Sequence, residues 1–322
     1  MISDELIRDN LNNCLTDTNL EEFGEKIKGK VRDSYKLMGD KRMLVSTDRQ
    51  SAFDHAFDPI PFKGQVLNKI SEYWFKHTKD IVPNHLITVP DPNVSIVKEC
   101  KVFPIEFIVR AYITGVTGTS AWYNYEKGER EFCGNTLPEG LKKNQKLNEV
   151  IITPTTKSDE HDEKISLKEI TEQGLMTKSE VDEVSEIVLA IFKRGTQMAA
   201  QQGLILVDTK YELGVDTEGK ILVVDEVHTP DSSRYWKIDS YEERFAKGEE
   251  QDSLDKEFLR LWVRSQGWDY GQEPPRIPDD VRIEFAGKYI ELYESITGNN
   301  FKPEESNIVE ERIKGNLLTY FA

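Results

Sequence analysis

The residues best placed to do chemistry lie in one stretch, 203–236, where acids and bases alternate between apolar runs. Asp208, Lys210 and Glu212 are spaced by two, so on a β-strand their side chains share one face. The apolar runs at 204–207 and 221–224 flank Asp216-Thr217-Glu218-Gly219, which predicts a hairpin. Pairing Asp216 with Gly219 sets Asp225 opposite Lys210, and a register one residue away sets Glu226 there instead. Either way at least three carboxylates and a lysine converge on one patch of sheet. Such a patch repels itself unless cations sit in it, and its oxygen ligands suit Mg²⁺ bridged to substrate phosphates. The plainer reading is a hairpin with one solvated, charged face. The Asp231-Ser232-Ser233-Arg234 segment just beyond adds hydroxyls and a guanidinium.

Other stretches carry anion-binding chemistry. Lys28, Lys30 and Arg32 alternate along a predicted strand whose Gly29 admits close approach of a ligand, a pattern that suits a polyphosphate or, more plainly, a lysine-guarded edge strand. Arg110 closes the apolar strand 105–110 and runs into a loop of glycines and hydroxyls at 111–120, where free backbone N–H groups and a guanidinium suit a phosphate or carboxylate. The loops 46–54 and 153–162 are dense in short polar side chains, and His161 lies there among acids without a second histidine to make a zinc set.

The elements that must position these residues follow from periodicity. Helical spacing marks 4–15, 64–77 and the run from the Thr177/Glu180 capping box to Gly203. Helices are also predicted at 254–263, 281–297 and 304–320, the last with Pro303 at its first position, and this tail reads as structural. Strands come early, then mixed elements, then helices, which is an α+β order. The chain has 322 residues, 38% hydrophobic and 10% aromatic, enough for a sizeable core. Its net charge of −16 argues against nucleic acid as a partner, though not against small anions in a local basic pocket. Three scattered cysteines give no disulfide framework and fit a reducing cytosol. The opening MISDELIRDNLNN has early acids and no apolar core, so no signal peptide is expected, and no run is long enough for a membrane span.

Six motifs, in order, resemble the phosphoribosylaminoimidazole-succinocarboxamide synthase (SAICAR synthetase) family of purine biosynthesis. They are GKVRDSY at 29–35, STDRQSAFD at 46–54, IEFIVRAYITG at 105–115, TPTTKSDEHD at 153–162, LVDTKYELG at 206–214 and VDEVHTPDSSRYW at 224–236. The resemblance implies an α+β fold with a smaller N-terminal antiparallel-sheet domain, placed at 1–100, and a larger sheet-and-helix domain at 101–322, with ATP in the cleft. It implies ATP-dependent ligation of L-aspartate to 5-amino-1-(5-phosphoribosyl)imidazole-4-carboxylate (CAIR), giving SAICAR, ADP and phosphate through an acyl phosphate.

Carried over by position, Lys30 and Arg32 contact the ATP phosphates, Lys101, Val102 and Glu106 lie in the hinge that receives adenine, and Lys157 joins them. Arg110, Ser120, Asp231, Ser233, Arg234 and Asp48 belong to substrate binding. Lys210 and Asp208 face the reaction, and Glu212 and Asp225 hold Mg²⁺. One departure is the loop at 116–119, longer than the TGSAW of many members, which leaves the serine assignment open between Ser120 and its threonine neighbours. The partners implied are small molecules (CAIR, L-aspartate and ATP), and the location cytoplasmic. A small-polyol kinase and a non-catalytic nucleotide-binding module are the rival readings.

Overall fold

The computed structural model describes residues 2–53, 55–157, 162–268 and 272–322. These residues form two main antiparallel sheets with helices packed on them, the expected α+β architecture. The first sheet runs in the order Glu25–Lys28, Arg32–Leu37, Lys41–Ser46, Val94–Lys98, Leu86–Asp91. Alternation along its strands puts Tyr35, Met43, Val45, Val94 and Ile96 on one face, and the helix Val309–Phe321 covers that face with Ile313 and Leu317. The helix Lys63–Thr78 packs on the other side, where Ser95 donates to Asn68 Oδ1 at 2.7 Å.

The second sheet is built on two long strands, Lys101–Ile113 and Leu204–Val215. Gln145–Ile152 and Thr155–Thr156 pair with the first of these, and Ile221–Val224 and Ser233–Lys237 with the second. The helix Lys178–Gln201 lies against it and buries Val184, Val188, Ile191 and Phe192. That helix starts at the expected capping box, with both the Thr177 and the Glu180 side-chain bonds made. Gly195 lets it approach closely, since a Cβ there would stand 2.2 Å from the His228 ring.

Three expectations change. The stretch 25–37 is not one strand. Gly29 donates its N–H to the Arg32 carbonyl at 2.9 Å and turns the chain, so Lys28, Lys30 and Arg32 do not share a face. A Cβ at Gly29 would sit 2.5 Å from that carbonyl oxygen, which is why the turn needs glycine. The strand expected at 105–110 starts earlier, at Lys101, and runs through Pro104 to Ile113. Pro104 falls where the pairing with Leu204–Val215 shifts between Glu212 and Gly214, and at such a bulge a missing N–H costs nothing. Pro303 does not open the last helix, which begins at Val309.

Candidate active site

The site is a set of rows across the second sheet. In the first row Asp208 sits directly between Arg110 on one neighbouring strand and Arg234 on the other. Its Oδ2 accepts from Arg110 at 3.1 Å and from Arg234 at 2.7 Å, and all three residues are buried. Arg110 also reaches Thr153 Oγ1 at 2.8 Å and the Thr119 carbonyl at 3.0 Å. Arg234 reaches Glu257 at 3.3 Å. Burial works against the charge on Arg234, but Asp208 and Glu257 outweigh it and raise its pKa. Beside this row Gly115, at φ +94°, has Ser120 Oγ 2.4 Å and Arg234 Nη2 2.8 Å from where a Cβ would stand. Only glycine fits there. Ser120 Oγ bonds the Thr117 hydroxyl at 2.8 Å, and Ser233 bonds Thr209 at 2.7 Å.

Two residues along the same face stands Lys210. Its ammonium bonds Glu106 at 2.7 Å and Glu212 at 2.9 Å. Lys157 bonds the other oxygen of Glu212. Burial would strip Lys210 of its proton, but Glu212 and Glu106 hold its pKa well above the ordinary value. Burial likewise opposes the charge on Glu212, and Lys210 and Lys157 overcome it, bringing its pKa down to about 2.

The hairpin register is the alternative one. Glu212 pairs with Val224 and Val215 with Ile221, so the ladder extended by two would bring Glu226, not Asp225, opposite Lys210. The cause is the turn: Asp216 Oδ1 accepts from the backbone N–H groups of Glu218 and Lys220, and Asp216 N–H bonds the Lys220 carbonyl, so 216 meets 220. Asp225 then leaves the ladder at φ +60° and turns toward Arg32, which bonds Asp225 Oδ1 at 2.9 Å and also Glu226. Arg32 thus ties the first sheet to the second. Burial pushes Asp225 up to about 6, against the pull of Arg32.

The cavity over these rows measures about 190 Å³. Glu106, Arg110, Ser120, Asp208, Lys210, Asp231, Ser233 and Arg234 all line it, so the structure brings half of the sixteen predicted site residues to one place. Glu212 lies beside it through Lys210, whereas Arg32 and Asp225 line a separate small cavity. Lys30 is exposed in the turn after Gly29, and Lys101 and Val102 are exposed at the start of their strand, paired with Val215 and Gly214. Asp48 is elsewhere: its carboxylate accepts from Leu15 N at 2.7 Å and Gly64 N at 2.8 Å, is buried, and is pushed up to about 6 by that burial. It fastens the start of the helix Lys63–Thr78 and does not reach the cavity. His161 lies outside the described residues.

Sequence reasoning missed part of the wall. The tail read as structural sends Asp255, Lys256 and Arg260 into the cavity. Glu257 holds Arg234 and, at 3.0 Å, Arg260. Asp231 is spent inside this network: it accepts from Lys63 at 2.8 Å and Tyr289 at 2.7 Å, with Lys256 at 3.4 Å. Burial opposes its charge, yet Lys256 and Lys63 hold its carboxyl well below the usual range. Burial brings Lys256 down to about 8. The longer loop at 116–119 is fixed from two sides, by Arg110 on the Thr119 carbonyl and by Arg264 on the Val116 carbonyl at 2.8 Å.

Glu212 and Asp225 fit a magnesium ion in kind, since both are carboxylates and Asp225 feels the charge of Glu212. Among the described residues no group of three or more His, Cys, Asp or Glu side chains is placed to hold a metal ion.

The model of the family described as SAICAR synthetase matches residues 25–277. A phosphoribosylaminoimidazole-succinocarboxamide synthase of Legionella pneumophila is 55% identical over 306 residues, covering 94% of this chain and 97% of that one. Among solved structures, the SAICAR synthase of Saccharomyces cerevisiae complexed with SAICAR superposes with a TM-score of 0.78 at 36% identity, over 90% of this chain and 100% of that one. A type-2 SAICAR synthetase in complex with ADP gives a TM-score of 0.66 at 26% identity, over 87% and 100%. The chain belongs to the SAICAR synthetase family.

Proposed function

We propose that the cavity takes CAIR and L-aspartate, with ATP lying toward Lys30, Arg32, Lys101, Val102 and Lys157, and that the ligation runs through an acyl phosphate. ATP-dependent ligation of aspartate to CAIR is the activity of the family, and the observation that carries its placement here is the Arg110–Asp208–Arg234 row. An acidic chain has gathered Arg110, Arg234, Lys210, Lys256 and Arg260 around one cavity, where anionic reactants need them.

In this reading Arg110 and Arg234 hold the phosphate or carboxylate of CAIR, preset by Asp208, which acts as a positioning residue. Lys210 stays protonated and faces the charge that builds on the transferring phosphoryl group. A CAIR carboxylate oxygen attacks the γ-phosphorus and the bond to the β–γ bridging oxygen breaks, releasing ADP. The aspartate amine then attacks the acyl carbon and phosphate leaves with the former carboxylate oxygen, while the amine's surplus proton passes to solvent. Glu212 and Asp225 would hold Mg²⁺, which when bound supplies charge neutralisation at the ATP phosphates. Residues 1–100 supply the phosphate-facing arm and 101–322 the rest, and the protein works in the cytoplasm.

The test is a coupled ADP assay with CAIR, with and without aspartate, and with ¹⁸O in the CAIR carboxylate. Steady ADP release that needs both substrates, and one ¹⁸O appearing in phosphate, are expected. Steady release without aspartate refutes the ligase, and unlabelled phosphate refutes the acyl phosphate.

A further inference from the structure

His85 sits at the junction of the two sheets. Its N–H bonds the Val223 carbonyl at 3.1 Å, its carbonyl accepts from Lys98 N–H at 2.8 Å, and Val223 N–H bonds the Pro83 carbonyl at 3.1 Å. One residue thus joins the strand Val94–Lys98 of the first sheet to Ile221–Val224 of the second, just before Asp225 leaves the ladder. The ring is buried against Phe75, at 5.4 Å between centroids. It lies in a cavity that it shares with Arg32, Asn68, Ser71 and Asp225.

Three polar atoms there have no hydrogen-bond partner among the described residues: His85 Nε2, Asn68 Nδ2 and Ser71 Oγ. Their residues are 4%, 5% and 5% exposed. The amide nitrogen can only donate, the hydroxyl can do both, and an imidazole that donates through Nδ1 accepts through Nε2. Leaving such groups unmet costs about 1–3 kcal/mol each. The cavity holds about 10 Å³, the room one water needs, and a water with partners of this kind satisfies all three at once.

We propose that His85 is a positioning residue. Together with one buried water shared with Asn68 and Ser71, it fixes the backbone of Asp225 in its left-handed conformation and so aims the Asp225 carboxylate beside Arg32. The part of this that concerns the metal rests on the assignment of Asp225 above, whereas the positioning does not. The helix Lys63–Thr78 carries Asn68 and Ser71, so the water also makes that helix part of the support behind the nucleotide site.

The test compares His85→Phe, Ser71→Ala and Asp225→Asn in the full chain. Readouts are hydrogen exchange of the 221–230 backbone, Mn²⁺ affinity in the presence of a non-hydrolysable ATP analogue, and the KM values for ATP and CAIR. Groups behind metal ligands are worth about 10–100-fold in metal affinity. For His85→Phe we expect faster exchange at 221–230, Mn²⁺ affinity down about tenfold, and a raised KM for ATP with the KM for CAIR unchanged. Ser71→Ala, which spares the fold, should do the same more weakly. Unchanged exchange in both His85→Phe and Ser71→Ala overturns the positioning role, as does an equal rise in both KM values. If Asp225→Asn leaves Mn²⁺ affinity intact while His85→Phe still loosens 221–230, the metal assignment fails and the positioning role stands. A crystal structure without a water between His85 Nε2 and Ser71 Oγ overturns the water.

Discussion

Replacing Asp208 with Asn should show how much of the site depends on one carboxylate. Its Oδ2 is shared by Arg110 at 3.1 Å and Arg234 at 2.7 Å, and Asp208 is 3% exposed. Asn is nearly the same size, so the change removes charge and one strong acceptor while leaving packing alone. Two buried guanidinium groups then face each other without the charge between them. Arg234 keeps Glu257, and among the described residues Arg110 keeps only the neutral Thr153 hydroxyl and Thr119 carbonyl. Removing one partner of a buried pair costs about 3–5 kcal/mol, and the contacts retained argue for about 3. With about 2.1 cal/mol/K per residue, a 322-residue chain unfolds with about 0.7 kcal/mol/K, so Tm should fall by about 4 °C. Misdirected arginines should also raise the KM for CAIR at least about tenfold, a loss of about 1.4 kcal/mol in binding. Scanning calorimetry and steady-state kinetics read both. A Tm within 1 °C of wild type together with an unchanged KM for CAIR would refute the claim that Asp208 holds the two arginines in place.

Gly115→Ala should be as damaging by another route: a methyl group would meet Ser120 Oγ and Arg234 Nη2 at a backbone φ of +94°, so we expect a tenfold or greater rise in the KM for CAIR, about 1.4 kcal/mol, with the far-ultraviolet circular dichroism retained. The Asp255 carboxyl is pushed up to about 7 by burial, so the folded chain binds its proton more tightly than the unfolded chain does. Its contribution therefore lowers stability as pH rises from about 4 to about 7, and denaturant titrations of Asp255→Asn across that range should show a shallower decline than wild type, by up to about 1.4 kcal/mol per pH unit.

The alternation of Asp208, Lys210 and Glu212 was readable because side chains on a strand alternate with no further information. What they face was not. The Arg110–Asp208–Arg234 row depends on which strands are neighbours and in what register, and no local pattern states that. The register of the hairpin turned on a single side chain, Asp216, whose carboxylate folds back on two N–H groups and lengthens the loop. Lys256 and Arg260 were hidden for a similar reason. They lie at the start of a helix that reads as an ordinary amphipathic one, and only its docking beside Ser233–Lys237 shows which cations face the cavity. The polar loop holding Asp48 left its partners equally unstated, since such a loop can cap and fasten a helix, as Asp48 does at Gly64, as readily as bind.

The cover that Val309–Phe321 gives to the first sheet has a consequence for synthesis on the ribosome. Tyr35, Met43, Val45, Val94 and Ile96 are all translated early, but Ile313 and Leu317, which close over them, follow more than 200 residues later. At about 5–20 residues per second, the sheet waits on the order of ten seconds or more with that face open to water. The nascent chain is therefore sticky before it is finished. A chaperone that shields the apolar side of the sheet during that interval should raise the yield of folded enzyme more than one that acts after release.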